Sequence, residues 1–213
     1  EEESALLTRS LPISPYALPS TKKLHRGIKQ TLESNPSYAI LMQRHGALVM
    51  GTSEEDVLVR ADALETLCME RYERLVGRKG VARPGLEYSD PQEERIAASL
   101  DLAEGRVAVV SVDPELQALN KKNLKPYLDD FAQIVGLSVS EKEGDSNAFF
   151  APDLSYAACI ESDLEEAYCV RAVLEKNLRA AHVAACYGQK PIAAPEAFLM
   201  RQIYKRKYSK QSK

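Results

Sequence analysis

His45 is the side chain whose type and setting most invite chemistry. It stands in "YAILMQRHGALVMG", between two apolar runs and directly before Gly46. An imidazole can take or give a proton near neutral pH or bind a metal, and the neighbouring glycine lets other backbone or a ligand approach closely. One imidazole is not a metal site, because zinc takes three or four N, O or S ligands. The other two histidines, His25 and His182, fall inside helical stretches and read as structural. Cys68, Cys159, Cys169 and Cys186 lie far apart with no C-x-x-C pair, so a zinc knuckle or dithiol redox motif is not supported. They read as buried free thiols of a reducing cytoplasm. Asp129 and Asp130 are adjacent on an expected helix and point in different directions, which argues against paired-carboxylate chemistry.

The elements that must hold His45 can be read on either side of it. "LPISPYALPS" carries three prolines between Pro12 and Pro19 and predicts an extended approach, since each ring fixes φ and restricts the residue before it. A helix follows, capped by Ser20 or Thr21, with Leu24, Ile28 and Leu32 as its buried stripe. "YAILM" and "ALVMG" predict two strands joined by "QRHG", with Gly46 available for a positive φ. A capping box, Thr52 with Glu55 or Ser53 with Asp56, opens a long helix that ends at Gly77. The Gly-, Pro- and Arg-rich stretch from Arg78 to Tyr88 predicts a linker. Ser89 or Asp90 before Pro91 opens another helix. "RVAVVSV" is a strand buried on both faces, Asp113-Pro114 starts a short helix, and Leu124, Leu128, Phe131 and Val135 predict a further helix closed by Gly136.

From Gly144 the first pattern returns. "SNAFFAPDLSYAACI" reads as strand, turn, strand, and a long helix follows with Ser162 and Glu165 as its capping box and Gly188 as its stop. Placing Thr52 on Ser162 sets Leu64 on Leu174 and Glu65 on Glu175, which reads as an internal repeat supported by element order more than by identities. His45 then falls on Ser155. Helix-surface salt bridges explain Glu65 and Glu175 as easily as a functional role does. The expected architecture is α/β, with hairpin strands packed against long helices and a degenerate internal repeat. The expected division is residues 1–80 and residues 81–213.

With 213 residues, 45% hydrophobic and 28% charged, the composition is that of a folded protein. A net charge of −3 argues against a whole-surface nucleic-acid binder. The basic end "RQIYKRKYSKQSK" reads as a solvated tail; a nucleic-acid role for it would show as strongly salt-dependent binding. No apolar run is long enough to span a bilayer, and the opening "EEESALLTRS" is acidic where a signal peptide is basic. The chain begins without Met, and its start is expected to come from processing or truncation.

The order of Pro-rich lead-in, helix, apolar strand, His-Gly turn, strand ending in Gly, capping box and long helix over residues 8–76 resembles the C-terminal half of the class II aldolase and adducin family. That resemblance implies a lyase acting on a sugar or sugar phosphate with a divalent metal, commonly zinc, held by three histidines. His45 matches the third of these. The other two form a His-x-His motif in the family's N-terminal half, which this chain lacks. The resemblance leaves three alternatives: a C-terminal piece of a longer or cleaved protein, a site completed by another chain, or a relative without the chemistry. It further implies a homo-oligomer, and acid–base work by tyrosines near the C-terminus, for which Tyr204 and Tyr208, flanked by Lys205, Arg206 and Lys207, are the candidates. The alternative class is a non-catalytic, adducin-like assembly module.

Overall fold

A computed structural model describes residues 11–80, 91–141, 144 and 146–207. The chain divides into two compact units, Glu1–Val81 and Ala82–Lys213. Both mix helix and sheet. The predicted linker and the helix cap at Ser89 or Asp90 fall largely on residues 81–90, outside the described residues.

In the first unit the Pro-rich approach forms β1 (Ile13–Ser14), parallel to β2 (Ala39–Met42), which pairs antiparallel with β3 (Gly46–Val49). The helix between, α1 (Lys22–Ser34), is capped by Thr21, whose side chain accepts from Leu24 N. Its stripe of Leu24, Ile28 and Leu32 is half-buried, not buried as expected. Helix α2 (Glu54–Val76) starts at Ser53, whose side chain accepts from Asp56 N, and ends on Gly77 at φ 70°. Gly51 fits tightly before it: a Cβ there would stand 2.8 Å from Val57 Cγ2. Among the described residues of this unit Leu11, Ala39 and Leu64 form a buried cluster, and Ala17, Ile40 and Tyr72 are buried as well.

The second unit carries α3 (Pro91–Ala98), β4 (Val107–Ser111), α4 (Glu115–Leu119), β5 (Asn123–Leu124), β6 (Val139–Ser140), β7 (Ala148–Phe150), β8 (Ala157–Glu161), α5 (Leu164–Cys186) and α6 (Ala194–Lys207). Its main sheet runs β4-β8-β7, antiparallel throughout, so β8 is central and wholly apolar until Glu161. β4 lies at the sheet edge, with Val109, Val110 and Ser111 buried. Helix α5 lays Val170, Leu174 and Leu178 on a core that includes Phe131, Val135, Phe150 and Cys159. Its cap is Asp163, which accepts from Glu166 N, one residue later than the expected Ser162 box.

The expected helix over Leu124–Val135 is a correction. Leu124 is in a strand, and Phe131–Val135 forms a π-helical turn closed by Gly136 N donating to Phe131 O. Pro126 disfavours helical backbone in the residue before it, and Asn177 Oδ1 accepts from Tyr127 N at 2.8 Å and Leu128 N at 3.1 Å, drawing those amides to α5. Gly136 has φ 144°, and a Cβ there would meet Ser146 Oγ at 2.7 Å. Asp129 and Asp130 part as expected: Asp129 accepts from Gln133 and Asp130 pairs with Lys176. The cysteines depart from expectation, since only Cys159 is buried while Cys68 and Cys186 are exposed.

The two long helices keep one spacing. Their caps, Ser53 and Asp163, stand 110 positions apart, and so do their first residues, Glu54 and Leu164, and their last, Val76 and Cys186.

Leu174 is fully buried in the larger core. Leu174→Ala is expected to cost about 2–5 kcal/mol through lost transfer energy and an unfilled cavity, read as a lower urea midpoint at unchanged slope.

Candidate functional site

His45 closes the turn between β2 and β3, and two residues set its position. Arg44 takes φ 68° and Gly46 φ 125°, and His45 N donates to Met42 O at 2.9 Å. The imidazole turns back onto the Pro-rich approach: Nε2 donates to the carbonyl of buried Ala17 at 2.7 Å, and the ring stacks on Tyr16 with centroids 5.6 Å apart and planes 19° from parallel. The Arg44 guanidinium covers the Tyr16 ring at 5.6 Å, and Tyr16 N donates to Gln43 Oε1 at 3.2 Å. Gln43 N donates to Ser14 O at 3.3 Å, which ties the turn to β1.

A carbonyl only accepts, so Nε2 carries the proton, and in the neutral ring the lone pair falls on Nδ1. Metal-bound imidazoles are held in this way, one nitrogen on the metal and the other donating to a carbonyl or carboxylate. The orientation suits a ligand, yet the donor set does not complete a site. No group of three or more His, Cys, Asp or Glu able to hold a metal ion occurs among the described residues. The described residues of this chain alone do not fit the metal that the resemblance implies.

Tyr204 lies on α6, in the second unit, and is half-buried. Burial raises its phenol above the ordinary value, Glu166 and Glu161 raise it further, and Arg201 opposes them. Tyr208 lies outside the described residues. Arg201 clamps the inner face of α6, donating to Ile134 O at 2.8 Å, to Gln133 O, and to Asn147 Oδ1 at 2.8 Å.

Reading by sequence missed a buried polar cluster at the end of β4. Ser111 Oγ donates to Glu175 Oε1 at 2.7 Å, Asp113 Oδ1 accepts from Glu115 N at 2.8 Å, and Arg179 reaches Asp113 Oδ2 at 2.8 Å. Buried Glu115 pairs with His182 Nδ1, and Arg171 pairs with Glu93 at 3.2 Å, fastening α3 to α5. Glu175 is therefore not on the helix surface, whereas Glu65 is exposed. Burial raises the Glu175 carboxyl; the Ser111 hydrogen bond lowers it, Asp113 raises it, and Arg171 and Arg179 lower it. The signal in the sequence was Glu175, Arg179 and His182 on one face of a helix at spacings of four and three. With the Arg179 guanidinium on Asp113 and the His182 imidazole against Glu115, the cluster is paired within itself and acts as a framework.

Among the described residues no helix is long and apolar enough to cross a membrane. Residues 1–72 match the model of one family, described as Class II Aldolase and Adducin N-terminal domain. That segment is similar to the class II aldolase and adducin family, over slightly different bounds from the residues 8–76 that carry the resemblance. No curated protein and no solved structure matches the chain.

A carboxyl whose folded pKa is raised adds stability that is complete below its unfolded value and is lost as pH rises through the folded value. Glu175→Gln keeps an acceptor for Ser111 and removes that loss. Its stability relative to the native chain is expected to be flat below about pH 4 and to rise once pH passes the ordinary value of 4.5, measured by urea unfolding across pH. A constant difference at all pH values would contradict the assignment.

Proposed function

We propose that this chain belongs to a class II aldolase-type, divalent-metal-dependent lyase acting on a sugar or sugar phosphate, in an assembly where further polypeptide supplies the ligands His45 lacks. The observation that carries this reading is the ring of His45: its Nε2 is engaged by a backbone carbonyl and its tautomer is set, on a turn gripped by Tyr16, Arg44 and Gln43. A bound metal, zinc above all, would supply Lewis-acid polarisation of the substrate's oxygens. This chain's part is to present one imidazole in a fixed direction. In this reading Tyr204 and Tyr208 are the acid–base groups. A phenol that burial keeps protonated suits giving a proton more than taking one.

The 110-residue spacing of both caps and both helices supports reading the second unit as a degenerate copy of the first, with Ser155 in the place of His45. The free thiols of Cys68, Cys159, Cys169 and Cys186 fit a cytoplasmic setting. A second reading, a non-catalytic adducin-like assembly module, is favoured by the absence of a three-ligand group among the described residues.

The two readings part on metal content. In gently purified native assembly, elemental mass spectrometry is expected to find about one divalent ion per chain, lost in His45→Ala. Metal absent from both, or unchanged by the substitution, would remove the lyase reading and leave the assembly module.

A further inference from the structure

Among the described residues strand β3 is bonded along one edge only. Met50 N donates to Tyr38 O at 2.7 Å, and the register pairs Ile40 with Leu48 and Met42 with Gly46. Bonded pairs alternate along an antiparallel ladder. Gly46 and Leu48 therefore turn their N–H and C=O groups to β2, and Ala47 and Val49 turn theirs the other way. Among the described residues no strand lies on that side. The edge is Gly-Ala-Leu-Val in continuous register, without the charge or proline that usually blocks addition of a strand.

The second unit shows what such an edge takes. Strand β8 precedes a helix capped at Asp163 as β3 precedes one capped at Ser53, 110 positions earlier. On β8 both edges are used: β7 pairs on one side, and β4 runs antiparallel on the other, from Val107 opposite Glu161 to Ser111 opposite Ala157. The helices show the same contrast. Leu58 and Val59 of α2 are 62% and 58% exposed, whereas Tyr168 and Cys169, 110 positions on, are half-buried.

We propose that the open edge of β3 is a docking site for an extended apolar segment of another polypeptide, added antiparallel and of the residue chemistry that β4 presents to β8: small and β-branched side chains over about five residues. Backbone hydrogen bonds to Ala47 and Val49 supply the affinity, as in strand addition generally. The inference deepens the proposed function by stating where the completing polypeptide docks; it rests on that reading for what the partner does, while the docking stands on the sheet.

The test is amide hydrogen exchange in the full chain, followed by NMR, with a synthetic peptide of the sequence of residues 105–113 as the probe. Ala47 and Val49 are expected to exchange fast in the chain alone and at least about tenfold more slowly when the peptide saturates, with Leu48 slow in both. A peptide N-methylated on the amides facing β3 should leave Ala47 and Val49 fast. Ala47→Pro, which removes an outward N–H and spares the ladder to β2, should abolish the effect; the N-methylated peptide decides the matter if that variant does not fold. Protection of Ala47 and Val49 without peptide, none at any peptide concentration, or protection that follows the chain's own concentration would overturn the proposal. Protection by peptide in a protein that holds no metal would retain the docking site and remove the lyase reading.

Discussion

Backbone hydrogen bonding at a strand edge governs how complete each unit is. A strand inside a sheet must satisfy donors and acceptors on both sides. β8 does so, between β4 and β7, and every residue from Ala157 to Ile160 is buried as a result. With β8 fixed in the middle, α5 has a full apolar floor, and the core from Leu116 to Ala181 closes around it. β3 pairs on one side among the described residues, its first two residues are exposed, and α2 buries only Leu64 and Tyr72 along its 23 residues. Each unit sets a hairpin before a capped long helix, and among the described residues the helix of the second buries more of its length.

The chemistry follows the same division. In the second unit the end of β4 brings Ser111, Asp113 and Glu115 against α5, where Glu175, Arg179 and His182 meet them in ion pairs and hydrogen bonds. Removing Arg179 would leave Asp113 as an unpaired buried charge, at a cost of about 3–5 kcal/mol. In the first unit the turn before β3 holds a histidine whose ring is aimed by a carbonyl. The second unit's cluster is paired within itself. The first keeps a ligand-like imidazole on a turn whose neighbours Tyr16, Arg44 and Gln43 fix its direction.

Local signals made much of this legible. Thr21, Ser53 and Gly77 cap where their types say they should, and "QRHG" makes the hairpin turn with Gly46 at positive φ. Periodicity failed at Leu124–Val135, where Pro126 and the side chain of Asn177 outweighed helical spacing. It failed also at Glu175, because a charged residue on a helix reads as solvent-facing unless its partner is known, and Ser111 lies 64 positions away. The acceptor for His45, Ala17, is 28 positions back in the chain and is a backbone atom, which no residue type announces. Long-range partners were the part that sequence could not disclose.

The central claim is that the first unit presents His45 as an oriented ligand, its Nε2 proton held by Ala17. Long-range proton–nitrogen NMR of the imidazole at about pH 8 tests it directly, since the two ring nitrogens differ sharply in shift between tautomers. The account predicts a proton on Nε2, coupled to a hydrogen bond that weakens when the Ala17 segment is displaced, and a lone pair on Nδ1. A proton found on Nδ1, or a ring exchanging freely between tautomers, would contradict it.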